Sequence, residues 1–536
     1  MTIGLILCAV VMVAGVLCSR LSSKLGMPVL LAFIGLGMLF GSDGLFHIAF
    51  DDFAFAEQIC SIALIFIMFY GGFGTKWNIA RPIAGKAILL STLGVVLTAG
   101  LTGLFCDFVL RFELLESLLI GAVLGSTDAA SVFSILRAKR LSLKFHTDSM
   151  LELESGSNDP CAYMLTVLVL SIMQGTASWS GIAWMLFAQV FFGLTLGALI
   201  AWLASWALRQ LPFEGSGLLA VFVMAIALLA YALPACIGGN GYIATYIVGI
   251  VLGNAQIVYK RELVHFFDGI TSLMEIVLFF LLGLLAFPTQ LPRVLLPALA
   301  IALFLTFVAR PIAVCGLLAP LRAKWQQLVL VSWAGLRGAA SIVFAIMATV
   351  SPAYMRHDVF HIVFCIVLMS IAIQGALLPR VSRKLRMINE QGDVLRTFND
   401  YSEEVDVQLI EIRVEQTHAW IGKTISALDL PPGLLLVLIQ RGEQSIVPHG
   451  GQKIQPGDVL AFGAQTYQQA HRIRLREVHV EEEHLWSGRR VAELSLPRQT
   501  LILWIRRREE TLIPQGDTQI VSGDVVVVQE RPGRAG

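Results

Sequence analysis

Residues 151–160 read Leu151-Glu152-Leu153-Glu154-Ser155-Gly156-Ser157-Asn158-Asp159-Pro160 and open an apolar run that continues through Met173. Three carboxylates, an amide and two hydroxyls stand where a membrane helix would carry leucines. A charge at the bilayer centre costs roughly 2.5–3.5 kcal/mol on insertion scales. Such groups persist in a span only where water, ions or partners compensate them. The stretch therefore reads as the heart of an ion pathway.

The surroundings are those of a polytopic membrane protein. The chain has 536 residues, 56% hydrophobic and 14% charged, against about a quarter charged in soluble domains. Thirteen apolar segments follow one another near 2–19, 27–46, 55–73, 84–110, 114–136, 148–174, 180–208, 216–235, 240–257, 264–287, 294–320, 325–350 and 358–379. They are numbered 1–13 below. Several exceed the minimum spanning length, which implies tilt or breaks. The basic residues test the count. With the N-terminus outside, the loops after odd-numbered segments and the stretch after segment 13 hold 18 Lys and Arg, while the outer loops hold three, Arg111, Arg293 and Arg356. That bias orients the chain with its N-terminus out and its C-terminus in the cytoplasm. The eight cysteines lie in or beside apolar runs and form no CxxC pair. The N-terminal run has no basic flank and no small-residue cleavage site, so it reads as an uncleaved first span.

The expected organisation is a transmembrane domain over 1–387, a polar linker over 388–404, and a tail of two modules over 405–476 and 477–530. Net charge is +1 overall, but residues 388–536 carry 16 basic against 21 acidic side chains, which argues against nucleic acid as a partner. The tail has short strand-like runs separated by Pro, Gly and Asp. It repeats at a period of 66: Trp420, Pro431, Arg441, Gly457 and Asp458 recur as Trp486, Pro497, Arg507, Gly523 and Asp524. The Gly-Asp pairs read as turns. Two copies of a β-rich α+β module follow, each too small to bury much core alone, so the copies are expected to pack on each other or on a second protomer.

Segment 6 starts near Asp148, and a rise of 1.5 Å per residue carries Asp159 about 16 Å deep, near mid-bilayer. Ser155 lies one turn earlier on the same face, and Glu154 and Asn158 share the neighbouring one. Pro160 has no N–H, so the Gly156 carbonyl loses its helical partner. A freed carbonyl beside a carboxylate, an amide and a hydroxyl suits a desolvated monovalent cation. Segment 5 brings Thr127 and Asp128 to the same depth among the small residues Gly121, Gly125, Ser126, Ala129 and Ala130, which permit close packing or local unwinding. Segment 12 adds Gly335-Leu336-Arg337-Gly338. Arg337 needs an acidic partner, for which Glu154 is the best match by depth and Glu152 the next. Glu275 in segment 10 and Arg310 in segment 11 read as structural pairing or cavity lining.

These residues resemble the bacterial monovalent cation/proton antiporters of the first cation:proton antiporter family, in its NhaP-like branch. The specific match is Glu154 to Asp159 followed by Pro160. Supporting matches are Pro28 to Gly44, Gly121 to Val132 with Thr127-Asp128, Gly239 to Asn254, and Trp333 to Ser341, in family order over roughly residues 1–387. The tail resembles, in tandem, the C-terminal (TrkA-C-like) half of the cytosolic domain that regulates potassium conductance. Antiporters resembling cell volume regulation protein A join such a tail to such a core, which favours potassium and a role in pH and volume homeostasis. The resemblance implies two inverted repeats with broken helices crossing at mid-membrane, and a homodimer. It makes Asp159 the carboxylate that alternately holds a proton or the cation, with Asp128, Thr127 and Ser155 as further oxygen ligands. Asn158 marks the Asn-Asp type, associated with electroneutral exchange, and Glu154 with Arg337 forms a buried pair that stabilises the core. Two departures stand out. Tyr70 precedes Gly71-Gly72 where many relatives carry an acid, and Ala129 replaces the proline usual after the Thr-Asp pair.

The physical mechanism is competition for one carboxylate: burial disfavours its charged form and a bound cation favours it. A tail-gated cation channel is the alternative, but no TVGYG-like filter is present. An intramembrane aspartyl protease using Asp128 and Asp159 would need YD and GxGD motifs that neither segment carries. The chain reads as a transporter rather than an enzyme, with no cofactor beyond the transported ions. Its partners are membrane lipid, the cation, a second copy and a small regulatory ligand at the tail. No Gly-rich phosphate loop follows a strand there, so no tail residue is assigned to that ligand.

Overall fold

The computed structural model describes residues 2–25, 29–138, 141, 143–175, 178–211, 215–255, 257, 259–389, 407–414, 418, 420–428, 430, 434–442, 444–465, 474–480, 484–494, 500–507, 510–512, 514 and 516–530. The chain divides into two compact units, Met1–Glu403 and Glu404–Gly536. Beyond residue 389, the linker expected at 388–404 lies outside the described residues.

The first unit is helical, and helix occupies each of the thirteen apolar segments. Among the described residues, seven helices are long and apolar enough to cross a membrane: Phe53–Gly74, Ala84–Phe108, Trp179–Gln210, Ser216–Cys236, Lys260–Leu285, Leu291–Leu318 and Val359–Lys384. Others are shorter, and two segments are interrupted. Segment 5 is helical over Leu114–Val123 and again over Ala129–Ala138, with an extended stretch between. Segment 12 does the same over Trp325–Trp333 and Ala339–Val350. The two interruptions meet, because the Asp128 N–H donates to the Leu336 carbonyl at 2.8 Å. A Cβ on Gly338 would lie 2.3 Å from the Asp128 Cβ, so only glycine lets the two chains approach this closely. Segment 6, by contrast, runs unbroken as Thr147–Met173 through Pro160. Its Pro160 carbonyl accepts from Asn240 Nδ2 at 3.0 Å.

A second irregularity recurs at the same spacing. Segment 4 contains a π turn at Leu90–Gly94 and segment 11 one at Leu305–Ala309. In the later case Pro311 removes a backbone donor just beyond the turn. The π turns in segments 4 and 11 and the breaks in segments 5 and 12 are each seven segments apart, as an internal repeat would leave them. Phe105 and Phe304 stack at 4.2 Å between segments 4 and 11. Segments 3 and 9 pack closely enough that a Cβ on Gly253 would meet the Phe73 carbonyl at 2.0 Å.

In the second unit the strands are β1 Val407–Arg413, β2 Leu434–Arg441, β3 Gln444–Ile446, β4 Val459–Gln465, β5 Arg474–His479, β6 Thr500–Arg507, β7 Glu510–Leu512 and β8 Val525–Glu530. They form two antiparallel sheets, ordered β1-β4-β2-β3 and β5-β8-β6-β7. Even the register irregularity repeats, between Leu436 and Leu438 and between Ile502 and Trp504. Among the described tail residues the only helical turns are short 3-10 turns such as Ile425–Ala427 and Val491–Glu493, so the described part of each module is nearly all β. Strand β5 starts at Arg474, a few residues before the boundary expected at 477, because the 66-residue period carries β1 to that point.

Each Gly-Asp turn also anchors an ion pair. Arg441 donates from Nε to Asp458 Oδ1 at 2.7 Å and from Nη2 to Asp458 Oδ2 at 2.8 Å. Arg507 and Asp524 repeat the arrangement at 2.9 and 2.8 Å. Both carboxylates are almost fully buried, and two-pronged Arg–carboxylate bonds are among the stronger polar contacts. The Arg441 hydrogen bonds hold the Asp458 carboxyl below the usual carboxylate range. A folded-state value below the unfolded one means that this stabilisation is present above about pH 4 and fades as pH falls through the depressed value. Asp458→Ala should loosen the first sheet by about 1–3 kcal/mol, since it leaves a guanidinium without its partner. Hydrogen exchange on the full-length protein would show faster amides in β2 and β4 and unchanged amides in β6 and β8. Equal protection of both sheets in the variant would refute the clamp.

Candidate functional site

A cavity of about 290 Å³ opens beside the crossing of the two interrupted helices. Its wall includes Tyr70 and Gly71 of segment 3, Ser126 to Asp128 of segment 5, and Glu152, Ser155 and Asp159 of segment 6. Tyr246 of segment 9, Asp268 and Glu275 of segment 10, and Gly338 of segment 12 complete it. Five carboxylates line it: Asp128, Glu152, Asp159, Asp268 and Glu275. No Lys, Arg or His is among the described lining residues. A low-dielectric cleft lined by one sign of charge concentrates the opposite ion. The cavity begins at the end of the bundle where segment 3 finishes and segments 6 and 10 start. It reaches inward to Asp159.

The interruption in segment 5 is held by segment 6. Ser155 Oγ donates to the Thr127 carbonyl at 2.6 Å, and Asn158 Nδ2 donates to Thr127 Oγ1 at 2.5 Å. Ser126 Oγ donates to Asp159 Oδ1. Asp128 caps the second half of segment 5, accepting from the Ser131 N–H at 3.2 Å and from the Ser131 hydroxyl. From segment 12, Arg337 Nη1 donates to the Ser126 carbonyl at 2.7 Å. An extended stretch inside a membrane protein has backbone groups that lipid cannot satisfy. Here neighbouring side chains satisfy several of them, and Ser126, Thr127 and Asp128 of the stretch line the cavity.

Beyond Asp159 the path is filled by aromatic rings. Tyr163, one turn past Asp159, lies 5.1 Å from Tyr242 and 5.9 Å from Phe344, and Tyr231 lies 4.9 Å from Tyr242. The cavity is thus open toward one end of the bundle and packed at the other.

Of the residues singled out from sequence, Asp159, Asp128, Thr127 and Ser155 line this cavity together. Asn158 does not. It is fully buried, and its amide holds the Thr127 hydroxyl, so it is placed to position a cavity residue rather than to touch an ion there. The pairing expected between Glu154 and Arg337 is corrected. Arg310 Nη2 donates to Glu154 Oε1, with both side chains almost fully buried. Arg337 is turned toward the Ser126 carbonyl instead. Matching by depth selected Arg337, but depth ignores the azimuth around each helix. The π turn at Leu305–Ala309 inserts an extra residue just before Arg310 and changes the face that it presents. Asp268 and Tyr246 were not singled out. The one available signal was an acid near the start of apolar segment 10, which applies to Asp268.

The comparisons with known proteins agree with this architecture. The model of the family described as sodium/hydrogen exchanger, transmembrane, matches residues 8–384. The chain belongs to that family. A second model, that of the TrkA-C domain, matches the tail of this exchanger-family protein twice, at 409–465 and 475–532. The K(+)/H(+) antiporter NhaP2 of Shewanella baltica (strain OS223) is 33% identical over 468 residues, covering 85% of this chain and 79% of that protein. The K(+)/H(+) antiporter NhaP of Alkalimonas amylolytica is 37% identical over 389 residues, 72% of this chain and 67% of that protein. Among solved structures, the sodium proton antiporter MjNhaP1 from Methanocaldococcus jannaschii at pH 8 superposes with a TM-score of 0.63 at 22% identity, covering 70% of this chain and 99% of that one. That likeness establishes the fold.

Proposed function

We propose that this exchanger-family protein moves K+ across the inner membrane in exchange for H+, one for one, at Asp159, with Na+ as the second candidate cation. The observation that carries this reading is the cavity: five carboxylates and no basic side chain among its described lining residues, with Asp159 on its wall. The preference for potassium rests on the relatives named K(+)/H(+) antiporters. A proton on Asp159 removes the charge that would hold the cation, and a cation there displaces the proton. Each loaded form then passes the site from one side to the other.

The basic-residue bias of the loops turns the open mouth of the cavity, with Glu152 and Asp268, toward the cytoplasm and the aromatic cluster toward the outside. The protein is read as inward-facing in this conformation. A cavity packed at one end favours alternating access over the tail-gated channel, in which both ends would open together. The homodimer and a small ligand that acts on the TrkA-C modules belong to the same proposal.

Purified full-length protein in proteoliposomes provides the test. A proton gradient of known sign should dissipate on addition of K+, with Na+ and Li+ compared in parallel, and the exchange should be insensitive to membrane potential. Flux that follows the potential, or that persists without coupled proton movement, would replace exchange by a channel.

A further inference from the structure

Segment 10 has an acid that the mechanism above does not use. Glu275 lies in the apolar helix Lys260–Leu285, seven residues after Asp268, about 10 Å along the axis and on nearly the same face. Thr271 and Ser272 lie between them, and all four line the carboxylate cavity. Among the described residues Glu275 has no hydrogen-bond or salt-bridge partner, although it is partly withdrawn from solvent. Asp128 and Asp268 are near enough for their charges to act on it. Asp268 itself accepts a hydrogen bond from the Tyr70 hydroxyl at 3.2 Å, so the outer member of this pair is tethered while the inner one is free to meet an ion. An acid within a membrane helix is costly to keep unless something compensates it. The other described polar groups on this wall are carboxylates, hydroxyls and backbone, none of which carries a positive charge. A cation entering the cavity is the compensation on offer.

We infer that Glu275 is a further ligand of the transported monovalent cation, capturing it beside Asp128 before Asp159 takes it. It sets apparent affinity and the choice between cations. Asp268, held by Tyr70, marks the mouth of the same path. This inference rests on the exchange reading and deepens it.

The experiment compares wild type, Glu275→Gln and Glu275→Asp as full-length proteins in proteoliposomes, with K+ and Na+ titrated separately. Glu275→Gln should raise the KM for K+ tenfold or more, while the maximal rate changes far less. Glu275→Asp should fall between it and wild type. In detergent, the K+ concentration that half-saturates thermal stabilisation should rise in parallel, with the melting temperature in cation-free buffer unchanged. A purely structural role would do the opposite, lowering that melting temperature and leaving KM alone. Unaltered KM and unaltered cation stabilisation in the Gln variant would overturn the inference. If that variant does not fold, an unaltered KM in Glu275→Asp would overturn it. An absence of K+-coupled proton flux in wild type would instead count against the exchange reading itself.

Discussion

Asp159→Asn should bring cation-coupled proton flux down to the background of empty liposomes, a loss of at least a hundredfold, while yield and melting behaviour stay near those of wild type. Asparagine preserves the volume and still accepts the Ser126 hydroxyl hydrogen bond, but it can neither take up a proton nor offer a charge. Both loaded states of the exchanger vanish together, so both directions of transport should fail. Because the substitution removes a buried charge rather than a packing group, no large cost in stability is expected. The measurement is proton release on a K+ or Na+ pulse into proteoliposomes. Flux at even a tenth of the wild-type rate would move the exchange centre away from Asp159, with Asp128 the next carboxylate to examine.

The second large effect concerns stability. Arg310→Ala should destabilise the membrane unit by about 3–5 kcal/mol, because it strands the Glu154 carboxylate in a site almost closed to water. Glu154→Gln should cost a similar amount by stranding the guanidinium. Replacing both partners at once with apolar residues of similar size should recover much of the loss, since a buried pair is expensive to break but not to replace. Arg337→Ala should cost less, about 1–3 kcal/mol, because it removes a hydrogen bond to the Ser126 carbonyl and leaves the Glu154 pair intact. Thermal unfolding in detergent orders the variants. A reversed order, with Arg337→Ala the more damaging, would restore the pairing expected from sequence.

These two expectations differ in how far they could be read in advance. Asp159 was legible because an acid in the middle of an apolar run is energetically conspicuous, whatever surrounds it. Thr127 and Asp128 were legible for the same reason, at the same depth on an antiparallel neighbour. The ion pair was not. Three residues, Glu154, Arg310 and Arg337, were all visible as charges within spans, and the choice between two arginines depended on a π turn of five residues. No hydrophobic pattern reports such a turn. Asn158 shows the converse limit. Its place in the motif was plain, yet only the hydrogen bond to Thr127 reveals that it braces the broken segment from outside the cavity. In the tail, the period of 66 disclosed the duplication and its turns. The buried Arg441–Asp458 clamp became visible only when β2 and β4 were seen side by side.

The sequence by itself determined the class of the protein: the apolar segments, the duplicated tail, and the acids set in the middle of apolar runs. All of these follow from local composition and from the cost of placing charge in hydrocarbon, and each can be read one helix at a time. Only the tertiary structure decided which charges meet, where the two interrupted helices cross, and that Asp268 and Glu275 of segment 10 open onto the same cavity as Asp159. Those facts depend on rotation about helix axes and on single-residue irregularities, quantities that depth and periodicity leave undefined.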